Sequence, residues 1–344
     1  MAAKHPARLT LAAVAREAGV SAPTVSKVIN GRHDVAEETR ARVVRVLERT
    51  GYKSPLQQRR TLADRPAVEV VLDSLNSGYN AAVLNGVMEC AAESGVEVLL
   101  HVTGLAGASP LDPEKRAQRI VDEGRCGMIA VTSAFGNASL GAFQRRGVPV
   151  VVIDPFNPPS GDVVSIGSTD WAGGKDATTH LLELGHRRIA YLGGPDNVEC
   201  NQARLHGYLA ALRSCDVPVE DHYIIGGTFG AGHGALGLDA LLQLDPPPTA
   251  IFAASDSIAL GVLAEARRRN IRIPADLSVV GYDGTSKAEE SVPSLTSVAQ
   301  PFQEIGRAAL RTVLRQLRGE VPDSRRVELA THLVVRESTA PPPA

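Results

Sequence analysis

From Ala67 onward the sequence alternates between short β-rich runs and longer helical stretches. The runs are AVEVVLDSL, VEVLLHV, CGMIAVTS, PVVVIDP, RRIAYLGG, TAIFAAS and LSVVGYD. Between them lie stretches such as AAVLNGVMECAAESG, GGKDATTHLLELG and SIALGVLAEARRRN. Strands that return through a helix pair in parallel, with helices covering both faces of the sheet. There are too many strands here for one compact domain, so two sheets are expected. Open α/β sheets take ligands at the carboxyl ends of their strands, and two of them facing each other leave a cleft.

The first 65 residues read differently. TLAAVAREAG places Thr10 as an N-cap and puts Leu11, Val14, Ala15 and Ala18 on one apolar face, stopping at Gly19. Ser21 then caps a second helix with Pro23 in its first turn. Its buried face is Val25, Val28 and Ile29, while Thr24, Ser26, Lys27 and Asn30 look outward or along the rim. A third helix is expected from about Ala36 to Thr50, with Val43, Val44 and Leu47 inward. Two short helices joined by a tight turn and braced by a third have the layout of a helix-turn-helix. Charge agrees. Residues 1–65 carry 13 Lys and Arg against 6 Asp and Glu, or +7, while the remainder carries 23 against 32, or −9. A basic head on an acidic body suggests that only the head meets a polyanion.

TLAAVAREAGVSAPTVSKVINGRHDVAEETRARVVRVLERTGY resembles the DNA-binding head of the lactose-repressor/galactose-repressor family of transcriptional regulators. That resemblance implies that Ala22, Pro23 and Lys27 face base edges and that Thr10, Ser21, Thr24, Ser26 and Asn30 hold phosphates of operator DNA. Lys donates well to guanine O6 and N7, whereas Ala and Pro offer at most contact with a thymine methyl, so base reading is expected to lean on Lys27. KSPLQQRRTLADRP then matches the family's hinge, which becomes helical on DNA and drives a Leu into the minor groove. With one residue inserted before Pro55, Leu62 takes that place. Arg59 departs from the small residue usual there, which leaves the packing of a hinge pair open.

The resemblance continues to about Ser338 through GGKDATTHLLELGHRRIAYLGGP, ARLHGYLAAL, FAASDSIALGVLAEARRRNIRIPADLSVVGYDGT and PSLTSVAQPFQEIGRAA. It implies an all-α helix-turn-helix head on an α/β, two-lobed, periplasmic-binding-protein-like body. The expected division is a head at 1–53, a hinge at 54–66, a body at 67–338 and a solvated tail at 339–344. Within the body the N-lobe would take about 67–165 and 301–325, and the C-lobe about 166–299 and 326–338. A sugar-type effector would lie between the lobes. By family position Arg204, Ser255 or Asp256, Asp283, Gln300 and Phe302 would contact it. Asp154 sits at another strand end, and Tyr79 and Phe229 would supply apolar faces for a pyranose. Carboxylates and a guanidinium hold hydroxyls strongly and in fixed orientation. Each Asp is also a common cap or turn former, and Asp283 precedes Gly284.

Other classes fit less well. Cys90, Cys126, Cys200 and Cys215 are dispersed, so neither a disulfide framework nor a zinc site is expected. GGTFGAGHG lacks the ending of a phosphate loop, and His180 and His186 read as structural. No catalytic residue, metal or cofactor is expected. The body alone would also suit a sugar-binding transport protein or a sugar-acting enzyme. Without a signal-peptide pattern or an apolar run long enough to span a bilayer, a cytoplasmic protein with no membrane partner is expected. No terminal heptad helix follows the body, which points to a homodimer.

Overall fold

The structure is a computed structural model that describes residues 11–29, 36–50, 66–75, 77–103, 112–131, 137–157, 159 and 163–343. It divides into two compact units, 1–66 and 67–344. The expected roles of Thr10, Asn30 and Leu62, and residues 54–65 of the expected hinge, fall outside the described residues, as do the side chains of Ala22 and Ser26.

The head holds α1 (Leu11–Glu17), α2 (Ala22–Ile29) and α3 (Glu37–Thr50). Gly19 lies in the left-handed region at φ +64, a conformation that glycine adopts without steric cost. The chain can therefore turn back, and the Val20 amide donates to the Ala15 carbonyl at 3.0 Å. Ser21 Oγ accepts from the Thr24 amide and pairs with Thr24 Oγ1 at 2.8 Å, which starts α2 as expected. Val14, Ala15, Ala18, Val25, Val28, Val43 and Val46 form the core, with Leu47 against it. One expectation fails: Val44 is 38% exposed and Val46 is buried in its place. Val43, Val46 and Leu47 follow the i, i+3, i+4 stripe of one helix face, and Val44 sits about a quarter-turn off it.

The body is built on two six-stranded sheets. The first contains β1 (Ala67–Leu72), β2 (Glu97–Val102), β3 (Gly127–Val131), β4 (Val150–Ile153), β5 (Val164–Ser168) and β11 (Arg326–Leu329), in the order β11-β5-β4-β3-β1-β2 and all parallel. The second contains β6 (Ile189–Leu192), β7 (Ile224–Ile225), β8 (Ala250–Ala253), β9 (Ser278–Asp283), β10 (Thr296–Ala299) and β12 (His332–Val334), in the order β12-β10-β9-β8-β6-β7. Only β12 runs antiparallel in it. The runs β1, β3, β4, β6, β8 and β9 are buried nearly throughout, as central parallel strands require.

Helices cover these sheets: α4 (Gly78–Ser94), α5 (Pro113–Asp122), α6 (Asn137–Gln144) and α12 (Phe302–Leu317) on the first, and α7 (Asp170–Glu183), α8 (Glu199–Ser214), α9 (Ala231–Leu241), α10 (Asp256–Arg268) and the short α11 (Ser286–Glu290) on the second. Three helix pairs cross through reciprocal glycines. A Cβ on Gly86 of α4 would fall 2.1 Å from the Gln303 carbonyl oxygen, and one on Gly306 of α12 would fall 2.2 Å from that of Val83. Gly174 of α7 and Gly207 of α8 repeat the arrangement, at 2.3 Å and 2.2 Å from the Arg204 and Trp171 oxygens. Gly234 of α9 and Gly261 of α10 do so at 2.0 Å each. In every case the obstacle is backbone, which cannot rotate away as a side chain can.

The chain passes between the sheets after β5, after β10 and after β11. Strand β11 lies in the first sheet, paired with β5 from Arg326↔Ser165 to Leu329↔Ser168, so residues 326–329 do not belong with the C-lobe and the first crossing comes after 168 rather than 165. Its polar, half-exposed edge pattern gave no buried-strand signal. The three crossings are tied together. Ser168 Oγ donates to Gln300 Oε1 at 2.7 Å, the Thr169 amide donates to the Leu329 carbonyl at 3.0 Å, and the Thr331 amide donates to Thr169 Oγ1 at 3.0 Å.

The start of the expected solvated tail is also docked. The Ala340 amide donates to Ser278 Oγ, and the Ala340 carbonyl accepts from Ser278 Oγ at 3.0 Å and lies 2.9 Å from Nε2 of the buried His186. His180 Nε2 reaches Thr339 Oγ1 at 2.9 Å, so both histidines are structural. Among the described residues no helix is long and apolar enough to cross a membrane.

Candidate ligand cleft and DNA-binding face

Parallel strands deliver their last residues to the cleft. Two of them end in a carboxylate on backbone of positive φ: Asp154 after β4 at φ 43, and Asp283 closing β9 at φ 119. Such conformations cost a non-glycine residue about 1–3 kcal/mol and persist where the surroundings fix them. Tyr79, in the first turn of α4, donates its hydroxyl to Asp154 Oδ2 at 2.5 Å and sets its ring edge-on to Phe302, centroids 5.0 Å apart. Beside them Asn80 Nδ2 donates to Asp73 Oδ1 at 2.7 Å.

The second lobe contributes Arg204 from α8. Its Nε donates to Asp170 Oδ1 at 2.8 Å and its Nη1 to the Ala254 carbonyl at 2.7 Å, with Asp283 Oδ1 3.9 Å from Nη1. The guanidinium lies 3.8 Å over the Tyr282 ring and 5.9 Å from that of Phe229. Burial works against its charge, but Asp170 above all raises its pKa, so it remains a cation. Burial pushes Asp283 up to about 8, against the pull of Arg204. It pushes Asp154 to about 7, with Asp170 adding to the rise and Tyr79 opposing it. The Cys200 thiol is driven by burial to about 12, which favours its protonated form at neutral pH.

A cavity of about 170 Å³ is lined by Asp73, Ser77, Tyr79, Asn80, Asp154, Cys200, Arg204, Phe229, Ser255, Ser257 and Asp283. Of the expected effector residues it gathers Tyr79, Asp154, Arg204, Phe229, Ser255 and Asp283. Three do not line it. Phe302 is buried behind Tyr79. Gln300 Nε2 donates to Asp283 Oδ1 at 2.8 Å and so ties the Asp283 carboxylate to the crossings. Asp256 is only 1% exposed, and both its oxygens are engaged: Oδ1 accepts from Ser297 Oγ at 2.6 Å, and Oδ2 accepts from the Thr285 amide and hydroxyl at 2.7 and 2.9 Å. It pins the loop after β9. Ser255 caps α10 by accepting from the Ile258 amide.

Asp73 and Asp170 were missed. Asp73 closes AVEVVLD as Asp154 closes VVVID, so the same strand-end rule finds it. Asp170 looks in sequence like an ordinary acid in a helix's first turn. In the head, Pro23 and Lys27 are exposed on the outer face of α2 and Thr24 is half-buried, so the polar face is turned away from the core.

A family profile described as "Bacterial regulatory proteins, lacI family" matches residues 10–54, and one described as "Periplasmic binding protein-like domain" matches residues 178–339. The HTH-type transcriptional regulator CelR of Thermobifida fusca is 33% identical over 339 residues, spanning 96% of this chain and 98% of that protein. The chain belongs to the lacI family of bacterial regulatory proteins. Among solved structures, the "transcriptional regulator CelR-cellobiose complex" matches this lacI-family chain with a TM-score of 0.71 at 32% identity, covering 96% of this chain and all of that one. The lac repressor dimer bound to operator and the anti-inducer ONPF matches at 0.70 and 25%, covering 96% and 99%. The helix-turn-helix head and the two-sheet body expected from the sequence are the fold of these relatives. This lacI-family protein is a DNA-binding transcriptional regulator and not an enzyme.

Proposed function

We propose that this regulator acts in the cytoplasm as a homodimeric repressor, gripping a near-palindromic operator through two heads and two 54–66 hinges and releasing it when a neutral sugar binds between the lobes. The observation that carries this reading is the facing of Tyr79–Asp154 in one lobe by Arg204–Asp283 in the other, around one cavity. A ligand held by both pairs favours one lobe arrangement and shifts operator affinity by that preference. The cellobiose carried by CelR in its complex supports a sugar as the ligand class. The test is operator binding by fluorescence anisotropy with and without a sugar panel. Sugar-dependent release that vanishes in Asp283→Asn supports the proposal, and sugar-independent binding throughout overturns it.

Lys27→Ala is expected to weaken cognate operator binding by about 1–3 kcal/mol and to relax base preference at the position it reads. An equal loss on random DNA would assign Lys27 to a phosphate instead.

Sugar affinity is expected to depend on pH. A hydroxyl donating to Asp154 or Asp283 stabilises the ionised carboxylate, so binding lowers its pKa and expels a proton. Affinity then rises with pH up to the free values of about 7 and about 8 and levels off above them. Between pH 6 and 8.5 the gain should be on the order of tenfold. Calorimetry in buffers of different ionisation enthalpy reads the released protons, and a flat profile would contradict the assignment.

A further inference from the structure

Behind the first cavity lies a second, of about 260 Å³, that the sequence reading did not foresee. The two share Asp154 and Cys200 as a common wall. The second is also bounded by both lobes: β5 and β11 from the first sheet, and the starts of α7 and α8 from the second. We propose that it is a second sugar subsite, so that the effector is an oligosaccharide of at least two rings. This rests on the reading of the cleft as a sugar site and narrows its ligand class.

Size is the first argument. Each cavity alone falls short of the roughly 300 Å³ at which small-molecule sites ordinarily begin, and together they exceed it. Lining chemistry is the second. Trp171, the only tryptophan in the chain, stands in the wall with 47% of its surface exposed. A half-exposed indole offers an apolar face to sugar C–H groups together with an N–H donor. In the same lining, Arg326 Nη1 holds Glu199 Oε1 at 2.6 Å and Nη2 holds Glu328 Oε1 at 2.8 Å. These groups are fixed in place and keep spare acceptor capacity for hydroxyl donors. Charge is the third. The lining carries Asp154, Asp170, Glu199 and Glu328, while the guanidiniums of Arg326 in the wall and Arg204 behind Asp170 are already paired with three of them, so no guanidinium is left over for a phosphate or carboxylate and a neutral sugar suits the site better.

The subsite also lies where a second ring would matter for control. Arg326 belongs to β11 and Glu199 to α8, so their ion pair spans the lobes, as does the 3.0 Å bond from the Glu199 amide to the Phe156 carbonyl.

The experiment uses the full chain and pairs each monosaccharide with its dimer, glucose with cellobiose and xylose with xylobiose. Affinity is read by calorimetry, and Trp171 emission reports from the site itself. One dimer should bind at least about tenfold more tightly than its monomer and shift the emission. Trp171→Ala should lower dimer affinity about tenfold more than monomer affinity, and Glu328→Gln should move in the same direction without touching the indole. Equal binding of monomer and dimer, unaltered in both variants, would overturn the subsite while leaving a monosaccharide effector standing. Failure of every sugar to bind would bring down the sugar reading and the subsite together.

Discussion

Arg204→Met is expected to destabilise the body by about 3–5 kcal/mol, the largest single-residue effect foreseen here. The change removes the cation that Asp170 faces at 2.8 Å while leaving that carboxylate 11% exposed and without its counter-charge. It also leaves the Ala254 carbonyl without its 2.7 Å donor. The loss should be visible as a lower urea midpoint at pH 7. It should shrink as pH falls, because burial already raises the Asp170 pKa and the lone carboxyl can take up a proton. Adding Asp170→Asn to Arg204→Met should recover part of the loss by removing the stranded charge. A single-mutant cost below about 1 kcal/mol would mean that the pair contributes orientation and not stability.

Gly207→Ala is expected to cost about 3 kcal/mol or more, although alanine is the better helix former by about 1 kcal/mol. The added methyl would fall 2.2 Å from the Trp171 carbonyl oxygen, and only separation of α7 and α8 can relieve it. Those two helices carry Asp170 and Arg204, so the same shift should weaken ligand binding. Gly232→Ala, on α9, is the internal comparison: its methyl would meet nothing within 4 Å, and the substitution should be neutral or stabilising. Thermal unfolding of both variants, with sugar affinity measured on the folded fraction, separates crowding from helix propensity. Equal behaviour of the two would refute the close-crossing account.

The fold was legible where a strand carries a run rich in apolar residues, including the largely exposed edge strand β2. The runs that became β1, β3, β4, β6, β8 and β9 are Val- and Ile-rich because both faces are covered. The strands passed over as separate runs are short: VSIGS and TSVA are buried in the sheets but rich in Ser, Thr and Gly, while II, RVEL and HLV lie at sheet edges, where one-sided burial leaves little pattern. That is why 326–329 was assigned to the wrong lobe. The cleft was legible to the extent that its residues end strands. Asp154 and Asp283 obey that rule, and Asp256, at the end of IFAAS, obeys it in sequence but turns its carboxylate onto Ser297 and Thr285. No sequence signal distinguishes a strand-end aspartate that faces a cavity from one that fastens the next loop. The second cavity was not legible at all, because Trp171, Glu199 and Arg326 come from three distant elements.

The side-chain bonds among the three crossings have a mechanical meaning. Three tethers set side by side and stitched by Ser168, Gln300, Thr169 and Thr331 resist sliding of one lobe past the other. The freedom that remains is rotation about the line of the tethers. Gln300 joins this line to Asp283, so the pivot is in direct contact with a carboxylate that lines the cavity. Occupancy would then be recorded as an angle. A rotation displaces most what lies farthest from its axis, and the amino ends of the first sheet, where the chain enters the body at Ala67, point away from the cleft. A small closing at the carboxyl ends would therefore be matched by a larger stroke at the amino ends of that sheet.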